Sequence, residues 1–209
     1  MQKLQGLIKS GGSTRYTDKL LPGETYHIYN RAIGAELLFK EEKNYAYFLE
    51  KFLSYTSGIC EVYCYCLLPN HFHFLARLNL TGLKDLSGLG LKDLSGLAQP
   101  FSNLFNCYAK SYNKMYHRKG TLFMRPFKRI LVDSDAYFTQ LIHYIHANPV
   151  HHGYVENMHD WKFSSYNAML SEQPTRLLRE DVIRWFGNKK EFIRVHQQPI
   201  EIRSEWEFG

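Results

Sequence analysis

The stretch Cys64-Tyr65-Cys66-Leu67-Leu68-Pro69-Asn70-His71-Phe72-His73-Phe74-Leu75-Ala76-Arg77 decides the fold of this chain. It reads as two strands joined by a tight turn at Leu68-Pro69-Asn70, where a proline and an asparagine interrupt residues of high strand preference. Successive side chains of a strand point to opposite faces, so His71 and His73 share one face while Phe72, Phe74 and Ala76 line the other. Two imidazoles side by side on a sheet can hold a divalent metal. Taken alone, the pair also reads as a satisfied, half-buried pair.

Around this hairpin the pattern alternates between strands and helices. Residues 1–22 are polar and carry Lys9-Ser10-Gly11-Gly12-Ser13, an irregular arm. Residues 24–31 alternate as a first strand, and residues 41–55 place Tyr45, Phe48, Leu49, Phe52 and Leu53 at helical spacing, closed by Gly58. Residues 59–68 and 71–78 are the second and third strands. Gly82-Leu83-Lys84-Asp85-Leu86-Ser87-Gly88-Leu89 is then copied at 90–97, too short and too few for a solenoid, and reads as a duplicated surface insertion whose leucines could pack one helical turn. Phe101, Leu104, Phe105, Tyr108, Tyr112 and Met115 form one apolar stripe, which predicts a second long helix.

Residues 121–132 read as extended structure broken at Pro126. Asp133 or Ser134 caps a third helix expected to end near Ala147, because Pro149 disfavours helical geometry at Asn148. A packed irregular segment at 161–167, a helix near 180–186 and a polar tail complete the chain. The expected division is an arm at 1–22, a main domain at 23–170 with the repeat insertion at 82–97, and a C-terminal helix and tail at 171–209.

At 209 residues and 44% apolar, the chain is of a size to build one domain with a real core. No segment approaches the roughly 20 apolar residues of a membrane span, and the first thirty residues hold no signal-peptide run, so a cytoplasmic protein with no membrane partner is expected. Net charge is +6, and 15% of residues are aromatic. Cations interleaved with flat rings suit single-stranded nucleic acid, although the same composition also fits an aromatic core under a soluble surface. Cys60, Cys64, Cys66 and Cys107 fit neither a disulfide framework nor a paired zinc signature. Cys60, Cys64 and Cys66 share parity with Val62 and Leu68 and are expected as small buried residues on one strand face; the alternative is a zinc site with a nearby histidine.

On the third helix, Phe138, Leu141, Ile142 and Ile145 form an apolar sector with Tyr144 and Asn148 together at its edge. If this helix packs near the histidine face of the third strand, a phenol, an amide oxygen and two imidazoles converge. His143, His146, His151 and His152 surround the tyrosine and read mainly as surface or capping residues.

The His-Phe-His run after Leu67-Leu68-Pro69-Asn70, followed downstream by Tyr144-Ile145-His146-Ala147-Asn148-Pro149-Val150-His151-His152-Gly153, resembles the single-tyrosine transposases of the HUH nuclease superfamily, above all the REP-associated branch of the IS200-like family. The similarity covers residues 24–167. It implies an α+β fold, a ferredoxin-like antiparallel β-sheet with packed α-helices, and an enzyme that cuts single-stranded or hairpin DNA with a tyrosine. Matched residue by residue, His71 and His73 correspond to the metal-binding pair, Tyr144 to the nucleophile and Asn148 to the third metal ligand, where the better-known insertion-sequence members carry Gln. The resemblance implies a homodimer or a monomer as the assembly.

Imidazole and amide-oxygen ligands suit Mg²⁺ or Mn²⁺ with open positions for phosphate and water. Attack by the phenol would leave a 5′-phosphotyrosine and a free 3′-hydroxyl, a reversible exchange that needs no ATP. Arg118, Lys119, Arg125, Lys128 and Arg129 bracket the segment before the tyrosine helix and are expected to grip the DNA backbone. The alternative is a non-catalytic single-stranded nucleic-acid-binding module on the same scaffold.

Overall fold

A computed structural model of the chain describes residues 17–79, 94–200 and 206. The first sixteen residues of the arm, and the repeat insertion as far as residue 93, lie outside the described residues. Four strands, β1 (Thr25–Arg31), β2 (Cys60–Leu68), β3 (His71–Leu78) and β4 (Lys128–Leu131), form one sheet in the order β2-β3-β1-β4. Every pairing is antiparallel. Helix α1 (Glu42–Thr56) lies in sequence between β1 and β2, and α2 (Gln99–Met115) between β3 and β4. This is the β-α-β-β-α-β ferredoxin-like arrangement, and the class is α+β.

Amphipathic patterning explains the layering. Tyr26, Ile28, Phe72, Phe74 and Ala76 point to one face of the sheet and pack with Tyr45, Phe48 and Phe52 of α1 and Phe101, Leu104, Phe105 and Tyr108 of α2 in one apolar cluster. The other face, carrying Leu75, Cys64, Cys66 and Leu68, packs with Leu141, Ile142, Tyr144 and Ile145 of a third helix, α3 (Asp135–His151). Ser134 caps α3 with its Oγ accepting from the Tyr137 N–H. Leu97, the last residue of the second repeat copy, lies in a short 3₁₀ turn before α2 and is fully buried.

Two expectations are corrected. Cys60, Cys64 and Cys66 do not share a face. A β-bulge between Val62 and Cys64 shifts the register, so Cys60 and Val62 stay in the α1/α2 layer while Cys64 and Cys66 turn to the α3 layer. One extra residue in a period-two strand reverses every later side chain. Helix α3 runs past Ala147 to His151 with Pro149 inside it. Asn148 is fully buried and its Nδ2 donates to the Tyr144 carbonyl at 2.9 Å, so packing and this bond hold it helical against the local preference of a residue before proline.

The C-terminal region is more structured than a single helix and tail. After α4 (Tyr166–Leu170) come α5 (Arg179–Trp185) and α6 (Lys189–His196), the last capped by Asn188. Phe192 and Val182 are buried beside α3, which is thereby covered on both sides. Among the described residues no helix is long and apolar enough to cross a membrane.

Candidate metal and nucleophile site

β3 and α3 bring the expected residues together within one subunit. His71 and His73 lie on the α3 side of the sheet with ring centroids 5.2 Å apart, and the ring of Tyr144 stands edge-on to His73 at 5.5 Å. Arg31, Asn70, His71, Tyr144, His152, Tyr154 and Trp206 line a cavity of about 260 Å³ at this point.

Each histidine is oriented by a neighbour. His71 Nδ1 lies 2.7 Å from Asn70 Oδ1, an acceptor, so Nδ1 carries the proton and the Nε2 lone pair faces away from the turn. His73 Nδ1 lies 2.8 Å from Nε2 of His27, a buried residue of β1 whose ring stacks on Tyr29 at 4.3 Å. A ring whose Nδ1–H is held by an acceptor presents Nε2 as a ligand, the usual arrangement of a metal-binding histidine. Burial lowers the pKa of His71 to about 3, opposed in part by the adjacent Asn148 side chain, and takes that of His73 well below its ordinary value. Both rings are neutral at physiological pH, the state that can ligate.

Asn148 donates through Nδ2 to Tyr144, and its fully buried Oδ1 has no hydrogen-bond partner among the described residues. A buried carbonyl oxygen left without a partner is costly, and a cation would satisfy it. Two neutral imidazoles and one amide oxygen fit a hard divalent ion with open positions better than a closed thiolate site.

Tyr144 is less accessible than the rim position expected of it. It is 2% exposed, and its hydroxyl donates to the Trp206 backbone carbonyl at 3.0 Å. The Trp206 ring lies 4.7 Å from that of Tyr144 and stacks on Tyr137 at 5.8 Å. The nucleophile candidate is therefore covered by Trp206.

The five basic residues separate. Arg118 is turned inward, donating to the Thr121 carbonyl at 2.7 Å and pairing with Glu36 at 3.2 Å, so it braces the turn after α2. Lys119 is exposed on that turn. Lys128 is paired in register with Tyr29 and so belongs to the histidine side of the sheet, whereas Arg125 and Arg129 line a groove on the α2 side. Arg129 donates to the Asp18 carbonyl at 2.6 Å and lies over the Phe127 ring.

His27, Arg31 and Trp206 escaped the sequence. His27 and Arg31 share strand parity with Tyr29 and with the face that meets His73, a signal that needs the β1–β3 pairing to be known. Of the four histidines read as surface or capping residues, His152 stands at the C-cap of α3 with its ring 5.0 Å from that of His71, whereas His143 and His146 are buried in the helix. For Trp206 the one hint was a large aromatic residue in a polar tail.

No family model matches the chain. A protein of Haemophilus influenzae named "Putative REP-associated tyrosine transposase" is 28% identical over 148 residues, which cover 68% of this chain and 78% of that protein. A solved structure of a REP-associated tyrosine transposase bound to a REP hairpin superposes with a TM-score of 0.58 at 16% identity, over 79% of this chain and 89% of that one.

Proposed function

We propose that this chain, related by sequence and fold to the REP-associated tyrosine transposases, is a metal-dependent endonuclease and strand transferase acting on single-stranded or hairpin DNA. The observation that carries the proposal is the meeting within a single subunit of Tyr144 and His71, which line one cavity, with His73 and Asn148 buried beside them. Tyr144 supplies the nucleophile. Its Oη forms a bond to phosphorus as the P–O3′ bond breaks, the phenolic proton passes to water in the cavity, and the leaving 3′ oxygen takes up a proton. The product is a 5′-phosphotyrosine, and the reverse exchange with another 3′-hydroxyl joins the strands.

His71, His73 and Asn148 are the residues that would hold Mg²⁺ or Mn²⁺. Such an ion, when bound, withdraws charge from the non-bridging phosphate oxygens and favours attack by a phenol whose ordinary pKa is near 10. Asn70 and His27 engage the Nδ1 atoms of the two rings, which leaves each Nε2 to ligate. Arg31, at the same wall, adds a fixed positive charge where a phosphate would enter.

The test is incubation with labelled hairpin DNA bearing single-stranded flanks, in the presence of Mn²⁺. A covalent protein–DNA adduct is expected from the wild type and none from Tyr144→Phe. An adduct that persists in Tyr144→Phe removes Tyr144 from the role. The covered hydroxyl of Tyr144 suits the second function, binding without cutting; that alternative stands if neither the wild type nor Trp206→Ala forms an adduct while both bind the hairpin.

A further inference from the structure

The α2 side of the molecule carries a groove of about 770 Å³, between α2 and the segment that leads into β4. This is within the range of small-ligand sites. Phe105, Phe123 and Phe127 line it side by side, with ring centroids of Phe105 and Phe123 5.1 Å and of Phe105 and Phe127 5.4 Å apart. Lys110, Arg125 and Arg129 stand in its walls, and among the described residues no carboxylate lines it. Asn30, 1% exposed, lies at its inner end. The Asn30 Oδ1 accepts the Arg31 N–H at 2.9 Å, which fixes the orientation of its amide.

We infer that this groove holds one unpaired DNA nucleotide next to the cleavage site, with the base over the phenylalanine floor against Asn30 and the phosphate toward Lys110 and Arg125. Aromatic floors with cationic walls are how proteins hold unstacked bases, and a buried amide donor discriminates among their edges. Connection to the chemistry follows from strand alternation. Asn30 and its neighbour Arg31 face opposite sides of the sheet, Asn30 into the groove and Arg31 into the cavity of His71 and Tyr144. The backbone of Arg31 is joined to the groove wall by the Met124 N–H, 2.9 Å from the Arg31 carbonyl. A single strand rounding the end of β1 therefore passes from one site to the other. The inference rests on the proposed DNA function and adds to it a seat for an unpaired base.

Two variants test it: Ser102→Trp, which fills the groove from α2, and Lys110→Glu, which reverses an exposed wall charge. Binding is measured by fluorescence anisotropy with a hairpin that has a single-stranded flank and with the same hairpin made blunt. Each variant is expected to weaken binding of the flanked hairpin roughly tenfold, the scale of losing one stacked base, and to leave the blunt hairpin unchanged. Wild-type affinity of both variants for the flanked hairpin, or an equal loss on both hairpins, overturns the groove and leaves the Tyr144 proposal standing. Failure of the wild type to bind either hairpin removes the DNA function and the groove with it.

Discussion

Helix α3 separates two histidine clusters that differ in how their polar atoms are completed. On one side His146 Nδ1 meets His196 Nε2 at 3.0 Å, His146 Nε2 meets Ser165 Oγ at 2.8 Å, and His196 Nδ1 donates to the Phe192 carbonyl at 2.8 Å. The Tyr65 N–H donates to the same Ser165 Oγ, so a continuous chain of donors and acceptors runs from α6 to β2. His143 Nε2 stands outside it, without a partner among the described residues. On the other side Asn148 Oδ1 and His27 Nδ1 lack partners, and His71 and Tyr144 line an open cavity. A buried polar network that is nearly complete adds to stability and specifies packing; one left incomplete beside a cavity is where a ligand would finish it.

The largest contrast is expected from Asn148→Ala against Ser165→Ala. Loss of the amide oxygen should weaken Mn²⁺ binding, measured by calorimetry, by at least about 10-fold, since even residues that only support a ligand cost about 10- to 100-fold. Ser165→Ala strands His146 and the Tyr65 N–H in the interior and should lower stability by about 1–3 kcal/mol in a denaturant titration. It should leave Mn²⁺ affinity unchanged. Equal effects of the two substitutions on metal binding would erase the distinction between the clusters.

Trp206→Ala is the next in size. Removing a buried indole should reduce stability by about 3–5 kcal/mol, while uncovering the Tyr144 hydroxyl should raise the rate of adduct formation. A slower reaction would mean that Trp206 orders Tyr144 for attack rather than covering it.

Both clusters should respond to acid. Burial lowers His27 and His196 to about 3 and His146 well below the ordinary value. An unfolded histidine binds its proton near pH 6.5, so between about pH 6.5 and pH 3 the unfolded chain holds more protons than the folded one. Stability is then full above the unfolded value and falls as pH drops through this window. His196→Gln should flatten the fall in melting temperature between pH 7 and 5. An unchanged profile would place the acid response elsewhere in the molecule.

What the sequence revealed follows the range of its signals. The β2–β3 hairpin and α2 were legible because period-two and period-3.6 patterns are local, and Leu68-Pro69-Asn70 marks the turn with its own chemistry. The convergence of His71, His73, Tyr144 and Asn148 was legible only jointly, since each residue alone has an ordinary structural role. His27 was hidden because its contact with His73 depends on β1 lying beside β3, a pairing between strands distant in sequence. The bulge at Val62/Cys64 was hidden because nothing in the local alternation announces an extra residue. Trp206 depends on a docking that composition does not encode.

That bulge yields the smallest effect and sharpens the chemical identity of the site. By turning Cys66 to the α3 face, opposite His73 in register, it puts a thiol where a zinc site with a neighbouring histidine would need one. Burial drives the Cys66 thiol well above its usual value, as it does Cys60, to about 12, so without a bound cation both are neutral thiols. The thiol should therefore be a packing group beneath the histidine. Cys66→Ala is expected to shift Mn²⁺ affinity by no more than about twofold, since a hard ion gains little from sulfur. Native alkylation should reach half-buried Cys107 before the three buried strand cysteines. A large loss of metal affinity in Cys66→Ala would instead make sulfur part of the ligand set and move the site toward zinc.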